Sequence, residues 1–269
     1  MVQCSVVAPI EWSCASSHVP PEMSLLTLVL IGATIVASSF LSGVFGLAGG
    51  MVLLGVLLVF LDVTAGMVLF SVIQFFANAW RAIQWWGFVR WRIFWFYCLG
   101  GAVAFAVMRS IAFIPDKALV YLLLGLMPFL IELIPARARP NIEWRGVPFL
   151  TGVLTTIVQF LTGVGGLFLD IFFQKSLLDR KTTLATKAVA QTASHVLRAS
   201  YFISFGSIGD EIGLWNLLGA IALAIGGTAL APYVIERMSD HDFRQWTRAI
   251  ILTISCVYIG RAAWLVLQG

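Results

Sequence analysis

Apolar runs dominate this chain, and the few polar residues fall in groups between them. From Leu25 onward the apolar stretches recur at the length of roughly 17 to 25 residues that an α-helix needs to cross a bilayer core. They are continuous rather than alternating with period two, which argues against an outer-membrane barrel. Turn and charge signals cut the chain into about ten helical segments. Five are expected at 24–43, 49–61, 64–86, 92–112 and 117–134. Five more are expected at 147–164, 166–178, 182–205, 212–235 and 242–267. Between the two sets lies PARARPNIEWRG, residues 135–146, the most polar stretch in the middle of the chain. Residues 1–23 read as a polar tail, lacking the basic start and short apolar run of a signal peptide. The expected fold is therefore an all-α polytopic membrane protein.

Two segments break the pattern. FLSGVFGLAGG (40–50) and QFLTGVGGLFLD (159–170) place glycines inside what would otherwise be long apolar helices. The segments that follow, 49–61 and 166–178, would be only about 20 Å long at 1.5 Å per residue. That is too short for a core of about 30 Å. Irregular backbone at that depth is tolerated only when buried in protein or lining a polar cavity.

The halves also resemble each other. Phe40-Leu41-Ser42-Gly43-Val44 matches Phe160-Leu161-Thr162-Gly163-Val164. Gln74, Asn78 and Arg81 have the same spacing as Gln191, His195 and Arg198, and Gly100-Gly101 matches Gly226-Gly227. Three matches in one order indicate an internal repeat. The first repeat is expected at 24–134, a basic linker at 135–146 and the second repeat at 147–269.

Charge decides how the repeats are related. The loop at Leu61–Thr64 carries no Lys or Arg, while the next connection carries Arg90 and Arg92. In the second half the order reverses: Lys175, Arg180, Lys181 and Lys187 come first, and the loop with Asp210 and Glu211 carries no cation. Positive loops tend to stay cytoplasmic, so the repeats are expected to be inverted. The linker, with Arg137, Arg139 and Arg145, and the loop with Arg237 and Arg244 would then be cytoplasmic. Both termini would be periplasmic. Arg109 and Lys117, flanking an outside turn, run against this scheme. Trp80, Trp85, Trp86, Trp91 and Trp95 cluster at one helix end as an interfacial belt.

Composition narrows the function classes. The chain has 269 residues, 60% of them hydrophobic and 11% charged, with a mean hydropathy of +0.94. The net charge of +4 is accounted for by loop arginines, so no nucleic-acid partner is expected. Cys98 and Cys256 lie in apolar helices and act as small hydrophobes. Cys4 and Cys14 could pair only in an oxidising compartment. His18 falls in the tail and His241 in a loop. There is no paired-histidine metal motif, no GxSG and no aspartate pair, so neither a cofactor nor an enzyme is expected. A pure scaffold would not need matched polar helices. Nothing in the sequence sets an oligomeric state.

Inverted repeats with short, glycine-interrupted helices are a plan of secondary transporters, with the site near the bilayer midplane. Helices starting near Gly49 or Gly166 would offer unpaired N–H groups and a positive dipole end. The glycines Gly43, Gly49, Gly50, Gly163, Gly165 and Gly166 would let an anion approach, with the Ser42 and Thr162 hydroxyls beside it. Gln74, Asn78 and Arg81 share one helix face, as do Gln191, His195 and Arg198. The glutamines, Asn78 and His195 would be hydrogen-bonding groups and the arginines electrostatic attractors. Each also has a plainer role: glycines for close packing, arginines snorkelling to headgroups, and His195 as a satisfied core residue. Asp170 could carry a coupling proton or pair with Arg198 or Lys187. His195 is the other proton candidate. Glu132, buried in LIELIP, is a second carboxylate to consider, and Lys187 could guide anions at the cytoplasmic mouth.

These features resemble the sulfite exporter TauE/SafE family of bacterial permeases. FLSGVFGLAGG is similar to its first glycine motif, with Ala48 where a glycine is usual. GVGGLFLDIFFQKSLLDRKTTLATKAVAQTASHVLR is similar to its second-half signature, with Leu167 where many relatives carry proline. The resemblance covers about residues 25 to 267. It implies a bacterial inner-membrane transporter of small sulphur-containing anions such as sulfite or organosulfonates. The residues themselves leave open a passive anion channel, or a carrier of another small anion or a thiol-bearing metabolite.

Overall fold

The computed structural model describes residues 25–45, 48–205, 214–235 and 240–268. The tail 1–23, the loop with Asp210 and Glu211, and Arg237 lie outside them. Among the described residues the chain is all helix, with α1 Leu25–Phe45, α2 Ala48–Phe60, α3 Val63–Gln84, α4 Trp91–Ile111 and α5 Lys117–Leu133. Then follow α6 Val147–Thr162, α7 Gly166–Phe173, α8 Arg180–Ile203, α9 Leu214–Ile235 and α10 Asp240–Gln268. Segments in α3, α4 and α10 are long and apolar enough to cross a membrane, and α1, α2, α6 and α9 contain shorter apolar stretches. This is an all-α polytopic membrane protein.

Local chemistry sets the helix ends. Asp62, Asp116 and Asp179 cap α3, α5 and α8 by accepting from the N–H groups of Ala65, Leu119 and Thr182. Gly146 precedes α6 in a left-handed conformation, φ 81°, and Gly163 ends α6 at φ 77°. Only glycine takes such a backbone without steric cost.

α3 and α8 cross at the centre, α4 packs on α6, α1 on α9 and α5 on α10. α4 also meets α8 and α3 meets α9. Exchanging the first five helices for the last five maps these principal pairings onto themselves. Lipid is as apolar as leucine, so close packing rather than water exclusion must hold such helices together. Gly100 sits on the Phe149 carbonyl and Gly152 on the Tyr97 carbonyl, which brings α4 and α6 into backbone contact. Gly227 lies against the Val36 carbonyl across the α1–α9 pair. The central apolar cluster includes Met51, Leu54, Leu57, Met67, Phe70 and Phe160. α2 is fixed to α5 and α10 by tyrosines: Tyr121 donates to the Gly55 carbonyl at 2.8 Å, and Tyr258 donates to the Met51 carbonyl.

Several boundaries differ from expectation. α1 runs on to Phe45, through Ser42 and Gly43, rather than stopping at residue 43. α7 ends at Phe173, not residue 178, because the 135–146 linker takes hold of the following turn. There Ile142 N–H donates to the Phe172 carbonyl, the Asn141 amide donates to the Lys175 carbonyl, and Leu177 N–H donates to Glu143. α8 starts two residues early at its Asp179 cap, and α3 stops at Gln84 before a single 3-10 turn, Trp86–Phe88. Glu132 is exposed rather than buried and pairs with Arg248 at 3.1 Å.

Candidate functional site

The central crossing puts the two polar faces together. Asn78 of α3 and His195 of α8 are the middle residues of the two matching polar triplets, and Asn78 Nδ2 lies 3.3 Å from His195 Nε2. The same Asn78 amide donates to the Gln74 carbonyl at 2.8 Å. Beside this contact is a small polar cavity. α3 contributes Gln74, Asn78 and Arg81, and α8 contributes Gln191 and His195. The glycine breaks contribute Ser42, Gly50, Gly163, Gly165 and Gly166. Phe70, Tyr97, Thr155 and Gln159 complete most of the wall. About 20 Å³ is free to the centre of a water-sized sphere. That is room for one or two water-sized groups.

Among the described residues the wall holds a cation and no carboxylate. Arg81 Nη2 donates to the Ser42 carbonyl at 3.1 Å, a neutral partner at the end of α1. Among the described residues no acidic side chain lies within ion-pair distance of it. A unit negative charge about 4 Å from such a group gains about 4 kcal/mol at an effective dielectric of 20.

Arg198 is placed differently. It has no exposed surface and stands behind the wall. Its Nε donates to the Ser71 hydroxyl at 2.7 Å, Nη1 donates to the Gly163 carbonyl, and the guanidinium lies 4.4 Å from the Phe70 ring centre. Nη2 is 3.1 Å from His195 Nδ1. A guanidinium can only donate, so Nδ1 is the accepting nitrogen of that ring. A proton arriving at Nδ1 would break this bond.

Three side-chain atoms of the wall have no hydrogen-bond partner although their residues are buried: Ser42 Oγ, Gln74 Oε1 and Thr155 Oγ1. Leaving such a group unpaired costs roughly 1 to 3 kcal/mol; the two hydroxyls can donate to an anionic guest, whereas the Gln74 oxygen can only accept, from a guest or water that carries a donor. Tyr97 is better satisfied, its hydroxyl 2.6 Å from the Ser194 hydroxyl. The glycines open the approach. A Cβ on Gly50 would meet the Gln74 amide at 2.9 Å, and one on Gly165 would meet Thr155 Cγ2 at 2.9 Å. Gly165 and Gly166 lie at the start of α7, where the first N–H groups have no partner within the helix. The cavity thus combines a cation, hydroxyl and amide groups, and a helix start.

The sequence match agrees with this geometry. A family model described as "Sulfite exporter TauE/SafE" matches residues 30–259, most of the chain. The chain belongs to the TauE/SafE family. No curated protein and no solved structure matches it at a significant level. Membership makes it a membrane transporter of a family of sulphur-anion exporters, and the cavity is its polar centre.

Most of the site residues expected from the sequence line this cavity: Ser42, Gly50, Gln74, Asn78, Arg81, Gly163, Gly165, Gly166, Gln191 and His195. Others stand apart. Gly43 faces Ala231 of α9, and Gly49 packs against the Ser38 carbonyl and Ser42. The Thr162 hydroxyl is engaged with the Val158 and Val164 backbone. Asp170 forms an ion pair with Lys187, both partly exposed. Phe70, Tyr97, Thr155 and Gln159 were not singled out from the sequence. A signal for two of them exists: Thr151, Thr155, Thr156 and Gln159 fall on one face of an otherwise apolar helix.

Proposed function

We propose that this protein is a secondary transporter that moves a small sulphur-containing anion, such as sulfite or an organosulfonate, across the bacterial inner membrane by alternating access. The observation that carries this reading is the cavity at the two helix breaks. It holds Arg81, unpaired polar atoms and no carboxylate. Family membership supports the sulphur chemistry of the anion. In this reading residues 24–134 and 147–269 are inverted repeats, 135–146 is a cytoplasmic linker and both termini are periplasmic. The exchange-symmetric helix pairings and the contact between Asn78 and His195 support the repeat. The small free volume supports a carrier that closes on its substrate over a continuously open channel.

None of the proton candidates stands free: Lys187 holds Asp170, Arg198 occupies His195 Nδ1 and Arg248 pairs with Glu132. Transport driven by the anion's own gradient is the reading this favours. Proteoliposome uptake and counterflow, screened over sulfite, sulfate, thiosulfate, sulfoacetate and taurine with and without a pH gradient, tests it. Saturable counterflow of at least one of these anions is expected. Flux that never saturates would favour a channel, and no flux of any of them would withdraw the substrate class.

A further inference from the structure

The repeat places Arg81 and Arg198 in equivalent positions, yet their surroundings are not equivalent. Arg198 is clamped by residues of the other half: Ser71 Oγ at 2.7 Å and the face of Phe70 at 4.4 Å. The offset that relates Asn78 to His195 is 117 positions. Applied to the clamp, it turns Ser71 into Ala188 and Phe70 into Lys187. Alanine has no hydroxyl to accept from a guanidinium. A lysine in place of the aromatic face would repel one. Arg81 therefore has no counterpart clamp available, in this arrangement or in one with the halves exchanged. Among the described residues it keeps a single bond, to the Ser42 carbonyl, and it remains on the cavity wall.

Arg198 reaches the cavity only through what it holds. Gly163 and Phe70, two wall residues, are fixed from behind by the same guanidinium. The Gly163 carbonyl lies at the left-handed turn that leads into the start of α7. We propose that the repeat-related arginines have divided their roles: Arg81 is the cation that contacts the anion, and Arg198 is a positioning residue that holds Gly163 and Phe70 in the wall. The Arg81 half rests on the anion-transport reading above. The Arg198 half does not.

Phenylglyoxal, a neutral reagent for arginine, tests both halves on the purified full chain in nanodiscs, read by peptide mass spectrometry. Arg81 should be modified at least about tenfold faster than Arg198, since an enclosed group reacts only through local opening. Ser71→Ala, which changes no charge and no residue of the cavity wall, should raise the Arg198 rate and leave the Arg81 rate unchanged. Equal rates in the wild-type protein, or an Arg198 rate unmoved by Ser71→Ala, would overturn the clamp. Methanesulfonate and sulfate, which do not consume the reagent, should slow modification of Arg81 only. If proteoliposomes transport sulphur anions but neither anion protects Arg81, the Arg81 assignment falls while the transport reading stands. If neither flux nor protection is found, the transport reading falls with that assignment, and the two modification rates still decide the clamp.

Discussion

The two glycine breaks look alike in sequence and differ in build. In the second half α6 stops at Gly163, whose left-handed φ of 77° turns the chain toward α7. In the first half α1 stays helical past Ser42 and Gly43 to Phe45, and α2 resumes at Ala48. Gly163 is a conformational requirement and a cavity-wall residue. Gly43, its match, is a packing residue against Ala231. The supports differ too. α2 is held through its carbonyls by Tyr121 and Tyr258, whereas α7 is held at its far end by the 135–146 linker. The two halves thus share the pairing of their helices more closely than the job of any one residue.

Substitutions at the two breaks should separate these roles. Gly163→Ala is expected to have the largest effect. It forces a left-handed alanine, costing roughly 1 to 3 kcal/mol. Its Cβ would also press on Leu54 and meet the Met67 sulphur at 2.8 Å. Thermal melting and folded yield should both drop. Gly43→Ala has only the Ala231 contact to relieve, an overpacking cost of roughly 1 to 3 kcal/mol without backbone strain. Equal losses at the two sites would erase the distinction.

Thr155→Val should act on function and spare stability. It removes an unpaired hydroxyl from the wall, so melting should hold or rise. Anion affinity should fall by about fivefold, the loss of one hydrogen bond of about 1 kcal/mol. A fall in melting with unchanged affinity would show that the hydroxyl supports the fold instead. Tyr97→Phe should cost roughly 0.5 to 1.5 kcal/mol through its Ser194 bond, visible in melting.

Smaller effects are expected away from the cavity. Asp170→Asn breaks a partly exposed ion pair worth roughly 0 to 1 kcal/mol. Flux through this variant should respond to a pH gradient as the wild-type protein does. A pH response lost with Asp170 would restore that carboxylate as the proton carrier. At the head of α8, the Thr182 hydroxyl and N–H donate to Asp179 and hold its carboxyl below the usual range. Its contribution to stability is present above the ordinary carboxylate range and is lost as pH falls through the lowered value. Asp179→Asn should flatten that part of the melting profile in acid.

Much of this was legible in the sequence because bilayer physics leaves few choices. Apolar runs had to be helices, and their ends came within a few residues of expectation. Gln74, Asn78 and Arg81 share a face by spacing alone, and the equivalent set on α8 follows. What escaped was set by contacts between distant segments. The stop of α7 depends on Ile142 and Asn141 in the linker. The enclosure of Arg198 depends on Ser71, which in sequence is an ordinary small helix residue. Tyr97 is a single polar residue on the apolar α4, and only the packing of α4 against α6 and α8 brings it to the cavity.

The central claim is that an anion binds against Arg81. Equilibrium binding of radiolabelled sulfite to the purified protein, compared with Arg81→Gln at matched folded amounts, tests it most directly. Losing a charge-assisted bond of about 1.5 to 3 kcal/mol should weaken binding by roughly tenfold or more, with melting little changed. Unchanged sulfite affinity in Arg81→Gln would contradict the account.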